Sequence, residues 1–342
     1  MRRFLPKFCV LFVLFGGLLG YYWYHVQPNI SGDLGRMGKI PFGKQYSNYQ
    51  VVGYEKDYDN AAVEQVFVPD SCGVYSILTI GDSFSRFHGN GYQMKLSALS
   101  RQTIGNASLT LQNPIQSFVS LMNASFLPSG PTVVVENVER TLIDHLNGID
   151  FESPDGFAFL DRERETQDDE TCLLGLFSWI RLRLGFENPV TSFSLKKACF
   201  SHPRYASTLF ILNERQYQDG DLFWMKYAEK DFEKARDNLM RIDSLATLHG
   251  VRFYFLIAPD KYDVYEPWIK GSRGENPTLG YFEDEGWLLN PKAFLRQLIE
   301  EDVKEVYMCN DTHWSEKGAD LVADYIYRRM ALASEDPDDD NK

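Results

Sequence analysis

Two short strings at opposite ends of this chain carry side chains that could share one reaction. The first is Gly81-Asp82-Ser83-Phe84, placed directly after the apolar run 75–80; the second is Asp311-Thr312-His313-Trp314, separated by two residues from the run 303–308. A serine hydroxyl is a weak nucleophile until a neighbouring base removes its proton. An imidazole supplies that base, and a carboxylate two residues earlier can hold its other nitrogen and fix the tautomer. In this reading Ser83 is the nucleophile, His313 the general base and Asp311 its orienter. Each string alone is ambiguous. Gly-Asp-Ser is a common turn, and Asp311 could simply cap a helix. As a pair of metal ligands Asp-x-His lacks a third partner, so neither a metal nor a cofactor is expected.

Residues 230 apart in sequence meet only if the fold carries both strings to one edge. The pattern supplies such a fold. Residues 75–80, 103–110, 131–136, 251–258 and 303–308 read as strands, and the run at 131–136 is β-branched and uninterrupted, as a strand buried on both faces should be. Helical spacing predicts helices over 93–101, 113–123, 231–249, 291–301 and 315–330, with Pro114 and Pro291 at helix starts, Gly250 as a stop and Ser315 as a cap. Strands alternating with helices imply an α/β domain around a parallel sheet, whose strand ends converge along one edge. Residues 141–229 break the rhythm, with acids clustered over 161–170, and read as an insertion able to cap the site.

The two strings together resemble the SGNH hydrolase superfamily, and more narrowly its AlgX/AlgJ-type branch of polysaccharide O-acetyltransferases, which pair a serine motif with an Asp-x-His-Trp motif. Residues 133–140 and 256–265 match the same branch, so the resemblance covers about 73–140 and 230–330. It implies a flavodoxin-like three-layer fold, an acyl-serine intermediate, a polysaccharide acceptor and a membrane-bound acyl donor system nearby. The serine motif comes first here, the order of ordinary SGNH esterases and the reverse of the alginate enzymes. The superfamily's Gly and Asn oxyanion donors have Gly105, Asn106 and Asn137 as candidates, beside the Ser83 amide. Trp314 joins them as part of its motif. Arg140 follows a strand, and binds an anionic sugar, holds a loop, or pairs with Glu136 or Glu139. Lys261 and Tyr265 also follow a strand and are candidates to line the cleft.

Composition narrows the class. A net charge of -13 argues against a nucleic-acid partner, which would need clustered Lys and Arg. Arg2, Arg3 and Lys7 precede the apolar stretch 8–26, and Tyr21, Tyr22, Trp23 and Tyr24 form an aromatic belt without a small-x-small cleavage site. An uncleaved anchor is expected over 1–26, with its basic start in the cytoplasm and the remaining chain outside. Residues 27–72 read as a juxtamembrane lead-in, 73–330 as the hydrolase-like domain and 331–342 as a disordered acidic tail. Of the cysteines beyond the anchor, Cys172 and Cys199 are the pair best placed for a disulfide, with free buried thiols the alternative. Sequons at Asn106, Asn123 and Asn310 read as chance.

The expectation is thus a membrane-anchored extracytoplasmic O-acyltransferase, most simply an O-acetyltransferase, acting on a cell-envelope polysaccharide. Its alternatives are a carbohydrate esterase of the same fold and a non-catalytic glycan-binding assembly subunit.

Overall fold

The runs of buried aliphatic residues pair side by side into one parallel sheet. A computed structural model of the chain describes residues 5–21, 58, 60–66, 72, 74–85, 91–107, 113–127, 130–154, 190–201, 207–211, 223–272, 274–282, 285–309 and 311–332. The sheet contains β1 (Val63–Val66), β2 (Ile77–Ile80), β3 (Ile104–Ala107), β4 (Thr132–Val138), β7 (Arg252–Ala258) and β8 (Leu288–Leu289). Its order is β1-β3-β2-β4-β7-β8, and every neighbouring pair is parallel. Without β1, that is the flavodoxin-like order, in which the first strand lies between the second and third. All residues of β2, β3 and β4 are buried, as strands covered on both faces require.

Helices α2 (Gln93–Ser100), α3 (Pro114–Asn123), α4 (Glu139–Asn147), α5 (Glu229–Leu248), α6 (Lys261–Tyr265), α7 (Lys292–Glu300) and α8 (Glu316–Leu332) connect and close the sheet. The chain moves from β2 to β3 in one direction and from β3 past β2 to β4 in the other. Right-handed crossovers therefore put α2 and α3 on opposite faces. Packing agrees, because α8 lies against α2 whereas α4 lies against α3 and α5. The caps follow local chemistry. Asn113 accepts from the amides of Ile115 and Gln116 ahead of Pro114, and Ser315 Oγ accepts from Gly318 N at 3.0 Å at the start of α8.

Several expectations need correction. Residues 303–308 do not join the sheet. They fold back as a narrow loop, with Tyr307 bridging Trp314 in antiparallel fashion, Met308 N donating to His313 O and Ser315 N donating to Val306 O. The edge beyond β7 is taken by the two-residue β8 instead. The opposite edge is β1, inside the stretch read as a lead-in. Its charged Glu64 hid a strand that shows one buried position, Val66. The interruption of the α/β rhythm also begins later than residue 141, since α4 is an ordinary layer helix. A separate antiparallel pair, β5 (Val190–Ser194) and β6 (Ser207–Ile211), lies within the stretch read as a cap. The acid-rich run 161–170, Cys172 and the acidic tail lie outside the described residues.

Helix α1 (Leu5–Tyr21) is 17 residues long, with Val10–Leu14 among its exposed apolar side chains. Among the described residues no helix is long and apolar enough to cross a membrane. No disulfide joins Cys72, Cys199 and Cys309, all of them buried. Burial pushes the thiols of Cys72 and Cys199 up to about 12.

Candidate active site

Doubly wound sheets form a crevice where the strand order reverses, at the carboxyl ends of the strands on either side. Here that point lies between β2 and β4. Ser83 follows β2 directly, in a single 3-10 turn over Ser83–Ser85. The turn is built by Asp82. Its main-chain oxygen accepts from Ser85 N at 3.1 Å, its Oδ1 from Phe84 N at 3.0 Å, and its Oδ2 from Val138 N at 2.8 Å. Asp is suited to this because its short carboxylate reaches an amide two residues on. The last bond ties the turn to the end of β4. The serine is thereby held at the switch point by strands on both sides.

A second brace comes from Glu136 of β4. Its Oε2 accepts from Asp82 N at 3.1 Å and from Ser85 Oγ at 2.9 Å. Gly81 makes room for it, since a side chain there would overlap Ser85 Oγ and the Glu136 carboxyl. Glu136 is fully buried, and burial first, then the nearby Asp82 charge, raises its carboxyl well above the usual range. Below the turn, Gln93 Nε2 donates to Ser85 O at 2.8 Å, and Asn106 Nδ2 to the same oxygen at 3.3 Å.

The loop after Tyr307 brings the other string to the serine. His313 Nε2 lies 2.6 Å from Ser83 Oγ, and His313 Nδ1 lies 2.5 Å from Asp311 Oδ1. The same Asp311 oxygen accepts from His313 N at 3.0 Å, so one carboxylate orients both backbone and ring. Phe84 packs on the imidazole with centroids 4.7 Å apart, and meets Trp314 edge-on at 4.8 Å. The Trp314 Nε1–H donates to Tyr307 OH at 3.0 Å, and Tyr307 in turn donates to Pro259 O at 2.6 Å. Apolar walls and a chain of hydrogen bonds thus leave the ring one orientation.

Chemically, the arrangement can take a proton from Ser83 Oγ onto His313 Nε2 while Asp311 stabilises the resulting imidazolium. Among the described residues, the Ser83 N–H carries no hydrogen bond and is available to an oxyanion. Ser83 itself is partly exposed, so a small acyl group can reach it.

The remaining candidates are elsewhere or otherwise employed. Asn137 is buried, with Nδ2 donating to Val138 O and Thr141 Oγ1 and Oδ1 lying 2.6 Å from His145 Nδ1, so it shapes the start of α4 and is no oxyanion donor. Gly105 pairs with Leu78 in mid-strand, where the Tyr75 ring occupies the space of a side chain. Arg140 Nε lies 3.4 Å from Asp260 Oδ1, which places the guanidinium beside the buried acid at the end of β7. Lys261, Tyr265 and Trp314 are buried and face the protein, so none of them lines a cleft. Tyr265 OH accepts from Tyr307 N at 3.3 Å, and Lys261 holds the loop that carries Asp311.

Sequence reasoning missed Glu136 as part of the site. The available signal was an acid inside a run of valines, a place where an ionised side chain is rarely left. Another buried acid group, Glu139, Asp260 and Asp263, has oxygens within 4.8 Å of one another. Asn276 Nδ2 bridges two of its members, at 2.7 Å from Glu139 Oε1 and 2.6 Å from Asp263 Oδ2. Burial pushes Glu139 up to about 7 and Asp263 well above the carboxylate range, and Arg140 and Lys292 are close by. The Asn276 amide and two nearby cations offset this cluster, which ties the start of α4 to the end of β7.

Compared with known proteins, the chain matches no family model, no curated protein and no solved structure.

Proposed function

We propose that this chain is a serine-dependent acyltransferase of SGNH type that moves an acyl group, acetyl in the simplest case, onto an extracytoplasmic polysaccharide. The observation that carries the reading is the 2.6 Å contact between Ser83 Oγ and His313 Nε2, with Asp311 at 2.5 Å behind the ring. Ser83 Oγ attacks the acyl carbonyl as His313 takes its proton. The Ser83 N–H stabilises the oxyanion, and the leaving group departs with the proton from His313. A sugar hydroxyl then gives its proton to His313 and attacks the acyl-serine, and His313 returns that proton to Ser83 Oγ as the ester bond to the serine breaks.

The reading includes a membrane seat for α1. Its 17 residues rise about 26 Å at helical pitch, against roughly 30 Å for a bilayer core. Exposed Phe8, Val10, Leu11, Phe12, Val13 and Leu14 favour lipid over water around it.

The test is acyl release from p-nitrophenyl acetate by the purified protein and by Ser83→Ala. Loss of turnover in the variant supports an enzyme, and equal turnover contradicts it. Adding an oligosaccharide acceptor divides the outcomes further: an acylated sugar supports transfer, and acetate alone assigns the protein to hydrolysis.

A further inference from the structure

We infer that Lys261 is a positioning residue for the proposed reaction, acting through the backbone of the loop that presents Asp311 and His313; the inference rests on the acyl-transfer reading. Lys261 opens α6, immediately past the end of β7, and is 1% exposed. Its Nζ donates to Met308 O at 2.7 Å, Cys309 O at 2.9 Å and Asp311 O at 3.2 Å. An ammonium has three N–H groups, enough to serve all three carbonyls.

The three oxygens belong to one loop tip, enclosed by the Tyr307–Trp314 bridge. That tip makes no sheet ladder, so its carbonyls need donors from elsewhere. A tetrahedral ammonium lets three carbonyls converge on one atom. A planar guanidinium fans its donors outward and cannot reproduce the tripod. Because Asp311 O is one of the three, the bond fixes the peptide from which the Asp311 carboxylate projects, and that carboxylate orients both His313 N and Nδ1. The order of command runs from Lys261 to Asp311 to His313 to Ser83.

The buried ammonium also acts electrostatically. A positive charge beneath the loop favours ionised Asp311 and opposes a second positive charge on His313. Removing it is therefore expected to displace the acid limb of the pH–rate profile to higher pH, and replacing Asp311 by a neutral residue to displace it the other way.

The experiment compares the full-length protein with Lys261→Met and Lys261→Gln in p-nitrophenyl acetate turnover across pH 5 to 9. Gln keeps donors without charge. The expected result is a kcat about 100-fold lower for Met, KM within about threefold, and an acid limb of kcat/KM displaced to higher pH. Lys261→Arg is expected not to restore kcat. A folded Met or Gln variant with kcat within twofold of the parent and an unmoved acid limb overturns the proposal. Failure of both variants to fold overturns it too, by assigning the lysine to the core alone. A parent protein without turnover, or Ser83→Ala with full turnover, instead removes the acyl-transfer reading itself.

Discussion

Ser83 and His313 are separated by 230 residues, and their reacting atoms lie 2.6 Å apart. The contact is made by topology. β2 and β4 flank the switch point, and the loop bearing His313 is fastened to the end of β7 through Tyr307 and Pro259. Each side of the contact is held by a different carboxylate, Asp82 for the serine turn and Asp311 for the ring.

Asp311→Asn tests the division of labour. The amide oxygen can still accept from His313 N and from the Nδ1–H, so the change removes the negative charge that stabilises the imidazolium. A kcat loss of about a hundredfold or more is expected. The thermal midpoint should move by only a few degrees. Acetate-ester kinetics on the folded variant are the check, and a loss below tenfold would contradict the assignment.

Glu136→Gln tests the buried brace. The amide oxygen still accepts from Asp82 N and Ser85 Oγ, so turnover at pH 7 is expected to stay within about threefold. Glu136→Ala removes the acceptor and leaves both donors unpaired, a cost of about 1–3 kcal/mol each. The Glu136 carboxyl is raised by burial and by Asp82, so ionising it as the pH rises sets a second charge against the turn, and the parent is expected to lose more activity with rising pH than the Gln variant. Matching profiles would count against this role.

Glu139 gives a stability dependence with a defined sign. Its native carboxyl is pushed up to about 7 from 4.5, so between these values the native state holds a proton that the unfolded chain has released. Stability from this group is therefore present below about pH 4.5 and lost as the pH rises toward 7. Urea midpoints of the parent should fall across that window, and those of Glu139→Gln should fall less.

Tyr307→Phe cuts the chain that seats the histidine loop. Trp314 Nε1–H loses its acceptor and Pro259 O loses its donor, both in buried surroundings. A destabilisation of about 2 kcal/mol or more is expected in urea unfolding, with kcat falling further than the loss of folded protein explains.

Much of this architecture was legible. The strands at β2, β4 and β7 announce themselves through uninterrupted apolar residues, and Pro114, Ser315 and Gly250 mark helix ends by their own backbone chemistry. Ser83, His313 and Asp311 stood out because their types and spacing made sense only together. The edges did not stand out. β8 is two residues long, and β1 carries a charge in mid-strand, so neither has a period to detect. Residues 303–308 looked like a strand because Val306 and Tyr307 are buried, yet they are buried in a loop against α8 and Pro259. Helix α8 passes so close there that Gly318 has no room for a side chain beside Val306 O. Arg140, Lys261 and Tyr265 follow strands as a cleft residue should. Their side chains turn inward to Asp260, to three loop carbonyls and to Tyr307 N, and those partners depend on a fold that local sequence does not encode.

The most direct measurement is covalent. Incubating the protein with a fluorophosphonate and mapping the adduct by peptide mass spectrometry should find one modified residue, Ser83, with labelling abolished by Ser83→Ala and slowed at least a hundredfold by His313→Ala. An unlabelled protein, or a label on another residue that persists in both variants, would contradict the account.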